Sequence, residues 1–193
     1  MRRSVALIAL CLAASAVSAG EITSAYTKYN LDKCKRLSAS VEESFGSFAC
    51  KGYGGFEIYF AEGDLRTFTA YGANGFEHCS AQQTFGHFNT ATPTVEWRLE
   101  DGKPFAAIQR WHVSDLDDAS ITTSWLGVTK IEKGNSCRVA IINGSLPHAN
   151  EKARNAADTL ARGFNCQKDT ALVISAEQIQ VDQLMSGTPC GPE

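Results

Sequence analysis

Six of the seven cysteines in this 193-residue chain are spaced to do one kind of chemistry. Cys34, Cys50, Cys79, Cys137, Cys166 and Cys190 are an even set once Cys11 is assigned to an N-terminal signal. None lies close enough to another for the C-x-x-C spacing that a structural metal site uses. In an exported chain such a set reads as disulfides, and sequence alone allows fifteen connectivities. An even, widely spaced set also leaves no obvious free thiol for cysteine-protease chemistry.

Other catalytic chemistries find little support. No G-x-S-x-G elbow occurs, and His78, His87, His112 and His148 stand in unrelated contexts. The acidic run from Asp115 through Asp118 departs from a calcium loop, with Ser120 where the turn glycine belongs and Leu126 where the bidentate glutamate belongs. It reads as a solvated loop. Carboxylates for glycosidase work can be drawn from Glu57, Glu62, Asp64 or Glu96, but sequence does not give their separations. No catalytic residue, cofactor or metal is expected.

The aromatic residues point to binding instead. Asp101-Gly102 has the composition of a type I′ turn, which needs positive φ at both central residues. A tight hairpin of Thr94–Leu99 with Pro104–Val113 then sets Arg98 opposite Phe105 and Trp97 opposite Ala106. In that register Val95, Trp97 and Leu99 share a core face with Ala106 and Ile108. Phe105 and Trp111 fall on the other face near Arg98 and Glu96. Aromatic rings beside arginine are the composition of a binding hot spot, so Arg98, Phe105 and Trp111 are candidate binding residues. Cation–π packing of Arg98 on Phe105, or a second layer over that face, is the alternative. Tyr53 joins the candidates as part of Tyr53-Gly54-Gly55, a loop that a bend needing positive φ explains more simply.

These residues need a scaffold. Arg2 and Arg3, an apolar run from Val5 to Ala16 and Val17-Ser18-Ala19 make a signal peptide over residues 1–19, with 20–193 as one domain and a tail from about 167. The apolar run is too short for a membrane anchor. Cleavage removes Arg2 and Arg3 and takes the formal charge of −3 to about −5. A mildly acidic domain with scattered Lys and Arg has no electrostatic pull toward nucleic acid or anionic lipid.

Strands are expected at Phe56–Phe60, Leu65–Tyr71, Thr122–Ile131 and Arg138–Asn143 besides the Asp-Gly hairpin, with Phe76–Pro93 as a long loop. One helix follows Pro147, with Asn150 as N-cap and Gly163 as the stop. Ala149, Ala153, Ala156, Ala157, Leu160 and Phe164 form its apolar stripe. In the tail, Ala171–Ile174 suits a strand and Glu177–Met185 a short helix. The expected class is α+β: a single antiparallel sheet of about five to seven strands, one helix on one face, braced by disulfides.

Geometry narrows the cysteine pairings. Cys34 and Cys50 flank a short polar segment and can clamp a hairpin. Cys137 opens a strand and Cys166 follows the helix, so a bond between them ties helix to sheet. Cys79 and Cys190 are then left to pin the tail.

The strings Cys50-Lys51-Gly52-Tyr53-Gly54-Gly55-Phe56, Val95-Glu96-Trp97-Arg98-Leu99 and Asp101 through Ile108, with the stretch from Cys137 to Cys166, resemble a group of uncharacterised secreted proteins of alphaproteobacteria. The resemblance spans roughly Tyr29 to Cys166. It implies a periplasmic location and four recurring cysteines matching Cys34, Cys50, Cys137 and Cys166, with Cys79 and Cys190 as an extra pair and a longer tail here. It implies no activity.

Two functions fit this reading. One is a non-enzymatic exported module, periplasmic or secreted, that binds or inhibits a protein or envelope-polymer partner. The other is a periplasmic hydrolase whose acid and base meet only in three dimensions. A pocket with two carboxylates or a Ser–His contact favours the enzyme; a flat aromatic face favours the binder.

Overall fold

A computed structural model of the chain describes residues 20–39, 46–115, 118–187 and 190; the signal segment and Cys11 lie outside them. In chain order the strands are β1 (Ile22–Lys28), β2 (Lys35–Ala39), β3 (Gly46–Lys51), β4 (Glu57–Gly63), β5 (Arg66–Tyr71), β6 (Thr84–Phe85), β7 (Asn89–Glu100) and β8 (Lys103–Ser114). There follow β9 (Thr122–Glu132), β10 (Asn135–Asn143), helix α1 (Ala149–Leu160), β11 (Leu172–Ile174), the one-turn helix α2 (Val181–Leu184) and β12 (Met185–Ser186). No helix among the described residues is long and apolar enough to cross a membrane.

The single antiparallel sheet expected from sequence is wrong. Strands hold 51% of the described residues and helices 16%, in separate sheets of six, four and two strands. The large sheet runs β1-β7-β8-β9-β10-β11, and its last pair is parallel. The others are β2-β3-β4-β5 and β12-β6. Helix α1 covers one face of the large sheet. On its other face, Val95, Trp97, Leu99 and Ala107 pack with Tyr71 of β5, Ile58 and Phe60 of β4 and Cys50 of β3. The result is three layers, helix, sheet and sheet, with a core on both sides of the middle one.

The reason lies at one residue. The Asp101-Gly102 turn forms with φ of 49° and 78°, and Glu100 faces Lys103 as the tight register requires. Leu99 then pairs with Pro104 and Arg98 with Ala106, leaving Phe105 as an extra residue in β8. Proline has no N–H to donate, so the ladder breaks there and a bulge forms. A one-residue slip exchanges faces. Ala106 and Ile108 therefore turn toward the helix, while Ala107, Gln109 and Trp111 turn to the opposite face with Trp97, Ala107 and Gln109 toward Tyr71 of β5 and Trp111 against Phe85 of β6 and Met185 of β12. Trp111 is fully buried, so the exposed-face role assigned to it fails.

The alanine stripe does what its spacing implies. Ala149, Ala153, Ala156, Ala157 and Ala161 lie against Ile108, Leu126, Val128 and Val139. The expected cap is displaced: His148 occupies the N-cap with φ 58°, and Asn150 lies in the first turn. The tail is part of the body, because β11 joins β10 and Val173, Val181, Leu184 and Met185 pack with Phe85, Trp111 and Trp125. The segment expected as one loop, Phe76–Pro93, holds two short 3₁₀ turns, β6 and the start of β7.

Three disulfides close the structure: Cys34–Cys50, Cys79–Cys190 and Cys137–Cys166. Their separations of 16, 111 and 29 residues correspond to about 3 to 5 kcal/mol each in the chain-entropy description. Such bonds fit an oxidising compartment.

Candidate functional site

Of the four candidate binding residues, none forms an exposed aromatic face. Trp111 is in the inter-sheet core. Phe105 is half-buried, with the Arg162 guanidinium 4.1 Å from its ring centroid. Tyr53 packs against the Trp97 core, and the bend after it has φ of 59° and 86° at Gly54 and Gly55. Arg98 is buried and bonded to the helix: its Nε and Nη2 donate to the two carboxylate oxygens of Asp158 at 2.8 and 2.7 Å. The cation–π partner of Phe105 is thus Arg162, not Arg98.

What sequence reasoning missed is the pattern these contacts belong to. Glu96, Arg98 and Glu100 alternate along β7, and Arg154 and Asp158 on α1, with Arg162 in the turn just past its end, recur every fourth residue. They pair in order: Arg154 with Glu96 at 2.7 Å, Asp158 with Arg98, and Arg162 with Glu100 at 3.1 Å. Ser24 on β1 bridges two rungs, donating to Glu96 Oε1 at 2.6 Å and accepting from Arg98 Nη1 at 2.5 Å. The hydrogen bond that Arg154 Nε donates to Glu96 holds the guanidinium above its ordinary pKa.

Beyond the Glu96 rung, the gap between α1 and the sheet opens into a cleft of about 290 Å³. Tyr26, Thr94, Glu96, Arg110, Asn150 and Arg154 line it. Arg110 is fixed there by neutral groups, Nη1 donating to Ser124 Oγ at 2.5 Å and Nη2 to Asn150 Oδ1 at 2.9 Å. Gly144 makes room for this: a Cβ on it would lie 2.5 Å from Ser124 Oγ and 2.6 Å from Arg110 Nη1. Glu96 is neutralised by Arg154, and among the described residues no carboxylate pairs with Arg110. In an acidic chain, this cleft carries an excess positive charge. Tyr26, 58% exposed, stands at its rim with its hydroxyl accepting from Arg154 Nη2 at 3.2 Å.

A second cavity of about 300 Å³ lies under the tail and is lined by Gln83, Arg138, Asp169, Gln180, Asp182 and Cys190 among others. It brings two carboxylates to one cavity, although Asp169 Oδ2 already accepts from the Asn165 N–H at 2.7 Å.

A Ser–His contact also exists. His78 Nδ1 is 3.0 Å from Ser136 Oγ, which lies 2.5 Å from Ser80 Oγ. All three residues are at most 2% exposed, so no substrate bond can reach them. Burial lowers the His78 pKa more than the Ala73 and Tyr71 carbonyls and the Glu77 charge raise it.

Of the acidic run, Leu116 and Asp117 lie outside the described residues. Asp118 accepts from the Ser120 hydroxyl and N–H at 2.6 and 2.9 Å, which holds its carboxyl below the usual range. No group of three His, Cys, Asp or Glu among the described residues is placed to hold a metal ion.

No family model matches the chain, and no curated protein or solved structure matches it either.

Proposed function

We propose that the protein is an exported binding module of the periplasm or medium that takes an anionic group of a protein or envelope-polymer partner in the cleft between α1 and β7–β8. The single observation that carries this reading is Arg110, a guanidinium held in a concave site and paired with no carboxylate among the described residues, the cleft's Glu96 being taken by Arg154. A planar guanidinium suits carboxylate and phosphate oxygens. The walls are already fixed by three ion pairs and the disulfide at Cys137–Cys166, so little ordering cost remains on binding. Titration with citrate and inorganic phosphate, followed by backbone amide shifts, tests it: changes centred on Arg110, Asn150 and Thr94 support the cleft. No change there at millimolar anion, or an unchanged response in Arg110→Gln, removes it.

The hydrolase reading keeps one observation in its favour, the two aspartates lining the cavity under the tail. It requires that Asp182→Asn abolish a hydrolytic activity of the oxidised protein on glycan or ester substrates.

A further inference from the structure

Strand β1 is an edge of the six-stranded sheet, bonded to β7 and to no other strand among the described residues. Its seven residues, Ile22–Lys28, hold an unshifted register with β7 and include no proline, no glycine and a single charge, at the far end. Two hydrogen bonds fix which way its backbone points. The Glu21 C=O accepts from the Asp101 N–H, and the Tyr29 N–H donates to the Pro93 C=O, so odd-numbered positions face β7. Backbone groups alternate sides along an antiparallel strand. Ile22, Ser24, Tyr26 and Lys28 therefore aim their N–H and C=O groups outward, where no strand among the described residues receives them.

Sheet edges are blunted by charge, bulges, shortness or cover, and the other edges here are. β2 carries Lys35 and Arg36 and a bulge after Arg36, and β11 has only three residues. Side chains cap the edge of β5: Asn89 Oδ1 accepts from the Thr67 N–H at 3.1 Å, the Thr84 hydroxyl donates to the Thr67 C=O at 2.6 Å, and Ser136 Oγ accepts from the Tyr71 N–H at 3.5 Å. β1 has none of these devices. It also displays two large apolar side chains, Ile22 at 37% and Tyr26 at 58% exposure, four positions apart on the face that Ser24 shares.

We infer that β1 pairs antiparallel with β1 of a second copy of this chain, about a two-fold axis at Ser24. This register gives reciprocal N–H to C=O bonds at Ser24 and sets Ile22 of each copy directly opposite Tyr26 of the other. An aromatic ring against a β-branched chain is a favourable cross-strand pair. Each exposed apolar group covers the other, and this self-complementarity singles out a second copy over an unlike strand. The edge is already rigid, because Thr27 Oγ1 accepts from Trp97 Nε1 on one face and Ser24 is held by Glu96 and Arg98 on the other, so pairing orders little. A single short strand buries less than a standard interface, which makes the dimer a weak one. The axis stands perpendicular to the sheet, so both α1 helices and both Arg110 clefts come to one face; the pairing itself stands whether or not the cleft binds a partner.

Sedimentation velocity of the oxidised protein from micromolar to millimolar concentration, with amide exchange read at both ends of that range, gives the test. The sedimentation coefficient should rise toward that of a dimer. The Ile22, Ser24 and Tyr26 amides should gain several-fold protection with concentration, while Thr23, Ala25 and Thr27, bonded to β7, are protected throughout. Ile22→Pro removes an outward N–H and one apolar partner but no bond to β7, and should abolish the concentration dependence. Where Ile22→Pro does not fold, Ile22→Lys places a charge opposite Tyr26 and should weaken association at least tenfold. A monomer at every concentration, which would leave the edge to an unlike strand, overturns the inference. So does a dimer whose outward β1 amides stay unprotected, or one that persists undiminished in the folded variant.

Discussion

Arg98 and Asp158 face each other through two parallel hydrogen bonds of 2.8 and 2.7 Å, one from a strand and one from a helix 60 residues later. They form the middle rung of a ladder whose two sides share nearly the same step. Two residues of strand rise about 6.6 Å and four residues of helix about 6.0 Å. Alternate positions on β7 and every fourth position on α1 and the turn that ends it therefore stay in phase for three rungs. The signs also alternate, Glu-Arg-Glu against Arg-Asp-Arg, so a shift of α1 by one turn would set like charges together. The alanine stripe lets the helix come close, and the charges fix where along the sheet it stops.

Breaking the central rung should cost more than an ordinary surface pair, because Arg98 and Asp158 side chains are only 10% and 25% exposed. Arg98→Ala is expected to lower unfolding free energy by about 2 to 4 kcal/mol. A double-mutant cycle with Asp158→Ala should show coupling of about 1 to 3 kcal/mol. Urea unfolding of the four proteins measures both; additive effects would remove the ladder as a determinant of docking.

Trp111→Ala should destabilise by about 3 to 5 kcal/mol, since the ring is fully buried against Phe85 and Trp125 and would leave a cavity. A chemical-denaturation midpoint near that of the wild type would return Trp111 to the surface.

Loss of the Cys79–Cys190 bond frees the end of the tail that carries β11, α2 and β12. A Cys79→Ser, Cys190→Ser variant should lose about 3 to 5 kcal/mol and show faster amide exchange at Met185 and in β6. Unchanged protection in β6 would show that packing alone holds the tail.

His78 gives a pH dependence of known sign. Burial holds its folded pKa below the ordinary value near 6.5, so the unfolded chain takes up the proton first. Its contribution is complete above about pH 6.5 and is lost as pH falls through the window between that value and the folded pKa. Unfolding free energy measured from pH 8 to pH 5 should fall more steeply in the wild type than in His78→Gln. Equal slopes would mean that His78 takes up its proton as readily in the folded state as in the unfolded chain.

Much of the frame was legible in the residues. The alanine spacing located α1, Asp101-Gly102 located the turn between β7 and β8, and the alternation from Thr122 to Asn143 located β9 and β10. The faces were not legible, because a hydrophobic period of two says which residues share a side only if the ladder is unbroken. Pro104 was the visible warning, and reading it as a register break would have placed Trp111 inside. The short polar edge strand β1 carries too little apolar pattern to stand out. The cleft was hidden for another reason: Arg110, Asn150 and Tyr26 come from three distant segments. The ladder did leave a trace, since Glu96-x-Arg98-x-Glu100 and Arg154, Asp158 and Arg162 have complementary signs at matching rises.

The account rests most directly on Arg110 as a cation offered to an anionic partner. Isothermal titration of the oxidised protein with citrate, alongside Arg110→Gln, measures this. Saturable binding that weakens at least tenfold in Arg110→Gln, with unfolding stability unchanged, is the predicted result. Equal affinity in the two proteins, or no binding to either, contradicts it.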